Sequence, residues 1–178
     1  MMISTSKLMQ RCYGVDLRLV EITNRLSLRK GVRPLFAVIS RIGDGLFWYG
    51  LILMLPVMFG YEAISTSIQM VIVGILGLLI YKWIKHLTER ARPFVVSSSI
   101  SLGTVPLDKY SFPSGHTLHA VSFSLVVMHY YPVLAWLLIP LTFLIALSRV
   151  VLGLHYPTDV MAGASIGTTL ATAVILVF

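Results

Sequence analysis

Five apolar runs, near residues 45–61, 64–84, 117–131, 133–148 and 158–178, restrict this 178-residue chain to folds whose helices lipid can solvate. A hydrocarbon core takes roughly 17 to 25 residues per helical crossing, a length the third and fourth runs reach only with their polar ends. The turns around Tyr61-Glu62 and Tyr131-Pro132 leave just enough chain to reverse direction. Runs one and two, and runs three and four, therefore form antiparallel hairpins. The expected fold is all-α: a single domain over 1–178, built as a polytopic transmembrane helical bundle with about five spans. Composition agrees, because 57% of residues are hydrophobic and only 12% charged, against about a quarter charged in soluble domains.

Residues 1–44 have a different character. Leu17, Leu19, Val20, Ile22, Leu26 and Leu28 interleave with Arg18, Glu21, Arg25 and Arg29, a pattern too charged to span. It reads as an interfacial amphipathic helix on the membrane surface, with a solvated helix packed on the spans as the alternative. The first 34 residues lack a continuous apolar region before a small-residue cleavage site, so the N-terminus is expected to be retained. The excess of 14 Lys and Arg over 7 Asp and Glu does not indicate nucleic acid, since so apolar a chain has little polar surface for a duplex. Lipid headgroups or phosphate substrates account for it better. Cys12 is the only cysteine, which excludes an internal disulfide and a cysteine-metal cluster. Gly163 and Gly167, four apart in the last run, permit close helix contact inside the bundle.

Between the second and third runs lies a segment near 85–116, rich in Ser, Pro and charge, where chemistry is expected. Counting sides places that segment, the end of the fourth run and the start of the fifth on one membrane face. Those three stretches hold the unusual residues. Lys85 and Arg92 are seven apart, close to two helical turns, and so share a face. Ser114 is a natural N-cap and Gly115 admits a ligand close to the backbone, so the free amides at this helix start suit a phosphate. His116 stands in the first turn, placed to donate a proton near neutral pH. Arg149 closes an apolar run in which an unpaired cation is costly, so it should face an anion or an internal cavity. His155 and Asp159 flank Pro157; a carboxylate there can hold Nδ1–H and leave Nε2 free to attack. Each residue alone also has an ordinary reading: snorkelling for the cations, capping for Ser114, dipole placement for Asp159. Asp108 and Lys109 read as a solvated charge pair near the entrance, and His86 and His119 as structural or substrate-adjacent.

In order and spacing, Lys85-x6-Arg92-Pro93, Pro113-Ser114-Gly115-His116 and Ser148-Arg149-x5-His155-x3-Asp159 resemble the type 2 phosphatidic acid phosphatase superfamily, in its membrane branch rather than its vanadium haloperoxidases. The resemblance covers residues 85–159. It implies that Lys85, Arg92 and Arg149 grip phosphoryl oxygens, with hydrogen bonds from Ser114 and the Gly115 amide. It further implies that His155 forms a phosphohistidine helped by Asp159, while His116 protonates the leaving group and then activates water. No cofactor and no metal is implied, and the substrate is a membrane lipid such as phosphatidic acid, phosphatidylglycerol phosphate or a polyprenyl diphosphate. A lipid phosphotransferase is the enzymatic alternative, and an anion channel or carrier the non-enzymatic one, which leaves His116, His155 and Asp159 without a role. The expected location is the bacterial inner membrane. Eight Lys or Arg against three acids in residues 1–45 favour the cytoplasm for the motif face by the positive-inside rule, while the resemblance points to the opposite face, where membrane members often work.

Overall fold

A computed structural model describes residues 7–178, so the first six residues of the basic N-terminal region lie outside it. Every regular element among the described residues is helical: α1 Lys7–Ser27, α2 Val32–Ile42, α3 Leu46–Phe59, α4 Ala63–Thr88, α5 Pro93–Val96, α6 Gly115–Tyr130, a 3-10 turn Pro132–Leu134, α7 Ala135–Val151 and α8 Pro157–Val177. Three helical stretches are long and apolar enough to cross a membrane: Ala63–Val96, Pro132–Val151 and Pro157–Val177. A fourth crossing arises if α2 and α3, bent by 48° at their junction, act together. This differs from the expected first span, because α3 alone has 14 residues and is about 21 Å long, short of a hydrocarbon core. Any added length would have to come from α2, within the stretch whose charge argued against spanning. Gly43-Asp44-Gly45 makes the break, and Gly45 takes φ 125°, a conformation that favours glycine.

The 16-residue α6 is too short to meet the same length test, yet it sits at the centre, packed on α4, α7 and α8. It can be short because protein surrounds it: Ala120, Phe123, Val126 and Val127 are buried against Trp48, Met70, Val73, Ile145 and Ala171. Gly163 and Gly167 let α8 lie directly on α6, since a Cβ at either would stand 2.5 Å from the carbonyl oxygen of Ser114 or Leu118. The outer faces of α3, α4, α7 and α8 carry exposed Leu53, Val57, Ile75, Leu79, Ile139, Phe143 and Met161, a surface that water would not tolerate but lipid would. Exposed Trp83 lies near one end of α4, while Tyr61 and Trp136 lie at the opposite end of the bundle, as in the aromatic belts of membrane proteins.

Helix α1 turns Asp16, Val20, Asn24 and Ser27 inward and leaves Val15, Leu19, Ile22 and Leu26 exposed. The seam is polar because it grips backbone. Asn24 donates to the carbonyls of Ser101 and Val151 at 3.0 and 2.9 Å and accepts from the Ser101 amide at 2.8 Å. Arg33 of α2 adds a bond to the Leu102 carbonyl at 2.8 Å, so the loop after α5 is held from below by both N-terminal helices.

Candidate active site

The end of α4, the start of α6, the end of α7 and the turn into α8 converge at one end of the bundle, as side counting predicts. Lys85 and Arg92 are buried, but not on one helical face as their spacing suggests, because α4 ends at Thr88 and Arg92 has extended backbone ahead of α5. Lys85 Nζ donates to the Tyr110 carbonyl at 2.8 Å, and Arg92 Nη1 to the Leu154 carbonyl at 2.8 Å. Both cations also meet one oxygen of Asp108, at 2.7 and 2.8 Å. The solvated Asp108–Lys109 pair therefore does not form; Lys109 instead lies over the Tyr110 ring at 5.3 Å. Arg149 is buried too, bonded from Nη1 to the Ser40 hydroxyl, while its Nε has no partner. Among the described residues, no carboxylate lies within ion-pair distance of Arg149.

Gly153 brings His155 back beneath Arg149. At φ 72° it ends α7 in a left-handed turn, after which the amides of Leu154 and His155 both donate to the Arg149 carbonyl, at 3.0 and 3.1 Å. His155 is buried, with Nε2 at 3.3 Å from Arg92 Nη1 and Nδ1 at 3.6 Å from Asp159 Oδ2. An arginine only donates, so Nε2 is the acceptor and Nδ1 carries the proton, which makes no hydrogen bond across the 3.6 Å to Asp159. Burial, reinforced by the charges of Arg92, Arg149 and Lys85, holds the His155 pKa well below 6.5, which keeps the imidazole neutral and nucleophilic.

Asp159 lies behind His155. Its Oδ2 accepts from the Ser111 hydroxyl and from the Tyr156 amide at 2.9 Å, and its Oδ1 accepts from Arg90 at 2.6 Å. His116 faces the opposite side of the site, with Nε2 at 2.5 Å from Asp44 in the α2–α3 break. Ser114 precedes α6 as expected, but its hydroxyl pairs with Thr117 at 2.9 Å and is not on the cavity wall. Gly115 is on that wall. His119 bridges the carbonyls of Gly115 and Gly74 at 2.9 and 3.2 Å, and His86 stands edge-on to Tyr110.

These groups border a cavity of about 460 Å³. Lys85, Arg92, Asp108, His116, Arg149 and His155 form its polar end; Trp48, Ile52, Leu53, Met70, Ile75 and Leu78 form its apolar walls. Leu53 and Ile75 are also exposed on the outer surface, so the apolar end reaches the lipid side between α3 and α4. Three buried cations beside a neutral imidazole suit an oxyanion carried by an apolar tail.

A profile of the PAP2 superfamily matches residues 66–178. The chain belongs to the PAP2 superfamily. Undecaprenyl-diphosphatase of Sulfolobus acidocaldarius is 32% identical over 106 residues, 58% of this chain and 51% of that protein. Phosphatidylglycerophosphatase B of Bacillus subtilis is 29% identical over 159 residues, 76% of this chain and 64% of that protein. The chain spans about half the length of the first curated relatives it matches. The crystal structure of a transmembrane PAP2 type phosphatidylglycerolphosphate phosphatase from Bacillus subtilis superposes with a TM-score of 0.76 and 24% identity, covering 98% of this chain and 88% of that one. At that identity it shows a shared fold.

Three site neighbours of this PAP2 chain escape the motif reading. Asp44 is an acid between two glycines at a break in apolar sequence, a signal available in the chain but assigned to the tail. Arg90 lies at one of the six unspecified positions between Lys85 and Arg92 and meets Asp159, 69 positions away. Asp16 accepts from Arg90 at 2.6 Å and from the Thr158 amide at 3.1 Å, and nothing around it in sequence announces either contact.

Proposed function

We propose that this protein is a membrane lipid phosphatase that hydrolyses a phosphomonoester or diphosphate through a phosphohistidine on His155, without a metal ion. The observation that carries the reading is the gathering of Lys85, Arg92, Arg149 and His155, with Arg92 Nη1 3.3 Å from His155 Nε2, at the polar end of a cavity whose other end is apolar and reaches lipid. The relatives named above act on phosphorylated lipids, phosphatidylglycerophosphate and undecaprenyl diphosphate, which supports that substrate class.

In the first step Nε2 attacks phosphorus, the N–P bond forms, and the bond to the lipid oxygen breaks as His116 delivers its proton to that oxygen. Asp159, 3.6 Å from Nδ1, stabilises the positive ring by its charge. In the second step His116 takes a proton from water, the water oxygen attacks phosphorus, and inorganic phosphate leaves as the N–P bond breaks. Lys85, Arg92, Arg149 and the Gly115 amide hold the equatorial oxygens, which supplies the charge that magnesium provides in other phosphoryl transfers. Ser114 supports the α6 start through Thr117.

We place the protein in the bacterial inner membrane with five crossings, α6 being the short, protein-surrounded one, and α1 at the interface with Leu19, Ile22 and Leu26 toward lipid. Because α1 is bonded to the site end, exposed Cys12 reports which face the site occupies. The tail charge assigns the cytoplasm, so an impermeant thiol reagent should leave Cys12 unlabelled in intact cells; labelling there would reverse the assignment.

Purified protein in detergent with a chelator should release phosphate from phosphatidate, phosphatidylglycerol phosphate or a polyprenyl diphosphate. His155→Ala should lose at least about 10³-fold in kcat, and full activity in that variant would refute the reading. Label recovered on a lipid acceptor instead of in solution would make the enzyme a phosphotransferase.

A further inference from the structure

Asp108 stands on the loop between α5 and α6 with its side chain 37% exposed, whereas the two cations it touches are buried and fixed. Oδ1 alone takes Lys85 Nζ at 2.7 Å and Arg92 Nη2 at 2.8 Å, and the Asp108 carbonyl takes Arg92 Nε at 3.2 Å. We propose that Asp108 competes with the transferred phosphoryl group for Lys85 and Arg92, holding the seat in the free enzyme and giving it up when substrate binds. This inference rests on the phosphoryl-binding role proposed for those cations.

The charges explain why both states exist. Three buried cations beside one another are costly without an anion, and one carboxylate offsets two of them. Burial alone would raise the Asp108 carboxyl, but hydrogen bonds and charge from Lys85 and Arg92 outweigh it and hold the group below its usual range, so it is an anion at neutral pH. Arg149 remains without a carboxylate. A phosphoryl dianion carries more charge and three oxygens, enough to engage all three cations, and the loop lets the displaced carboxylate turn to water. Only a ligand bearing a tetrahedral oxyanion gains the third contact; a lipid carboxylate exchanges like for like and gains little.

The test is binding of orthovanadate and of inorganic phosphate to wild type and to Asp108→Asn in detergent, measured by calorimetry and by competition with turnover. If Asp108 competes, removing its charge raises the fraction of free seats, and both anions should bind at least about tenfold more tightly. The variant should also melt lower than wild type without ligand and regain the difference with vanadate. In a Lys85→Gln background the gain from Asp108→Asn should shrink, since one contested cation is gone. Weaker anion binding by Asp108→Asn would overturn the proposal alone, because it would mean that Asp108 aligns the cations for substrate. Failure of wild type and variant alike to bind either anion would overturn this proposal together with the phosphoryl-site reading.

Discussion

Arg90 donates to Oδ1 of Asp159 at 2.6 Å, and the same guanidinium donates to Asp16 of α1 at 2.6 Å while lying 3.9 Å over the Tyr156 ring. It joins the carboxylate behind His155 to the N-terminal helix. Asp159 is fully buried, so loss of its cation leaves a charge that the interior does not otherwise balance. Arg90→Ala should cost about 3 kcal/mol of stability, and Arg90→Lys should keep the charge yet fail to span both acids. Because Arg90 is behind the site, kcat should fall about a hundredfold with KM little changed. A variant altering KM alone would place Arg90 in substrate binding instead.

Asp44 holds His116 from the break between α2 and α3. A carboxylate on one imidazole nitrogen favours the positive ring that His116 becomes on taking a proton from water. With p-nitrophenyl phosphate, whose leaving group needs no proton, Asp44→Asn should slow only breakdown of the intermediate. Acid-labile phosphate should then accumulate on His155 after rapid quench. Equal loss in both steps, with no labelled enzyme, would separate Asp44 from the water step.

Gly167→Ala sets two effects against each other. In a free helix the change should stabilise by about 1 kcal/mol. Here the new methyl would stand 2.5 Å from the Leu118 carbonyl oxygen, and backbone cannot give way as a side-chain tip can. Overpacking should win, costing about 1 to 3 kcal/mol and lowering the melting temperature in detergent. A higher melting temperature would show that α6 and α8 do not pack this closely.

Acid should act on His155 and on the fold in the same direction. The folded His155 pKa lies well below 6.5, so as pH falls through 6.5 the unfolded chain binds a proton that the folded chain refuses, and stability falls. Asp108, held below 3.8 when folded, adds a loss of the same sign at lower pH. The acid limb of kcat/KM should therefore lie below pH 6.5, and a limb at or above it would mean that His155 is solvated.

The motifs were legible because each is local. His155 precedes a proline-started helix, and Lys85 and Arg92 stand out as a cation pair, although the helix expected to carry both stops at Thr88 and a left-handed Glu89 and an extended Arg92 bring the second cation round. The glycine pair of α8 announced a close contact, though only packing shows that its partner is α6. The bent α2–α3 pair was harder to read, because Arg33 and Arg41 made α2 look like tail, and two helices meeting at 48° have no single periodic signature.

The sequence by itself determined a membrane helical protein of the PAP2 superfamily and the residues at its polar end, since hydropathy and motif spacing are properties of neighbours along the chain. Tertiary structure decided the counter-ions: Asp44 for His116, Arg90 and through it Asp16 for Asp159, and Asp108 on the two cations of the first motif. Hydrogen bonding acts only at contact distance and Coulomb attraction weakens with separation, so which acid meets which base depends on distance in space. His116 and Asp44 are 72 positions apart in the chain and 2.5 Å apart in the fold.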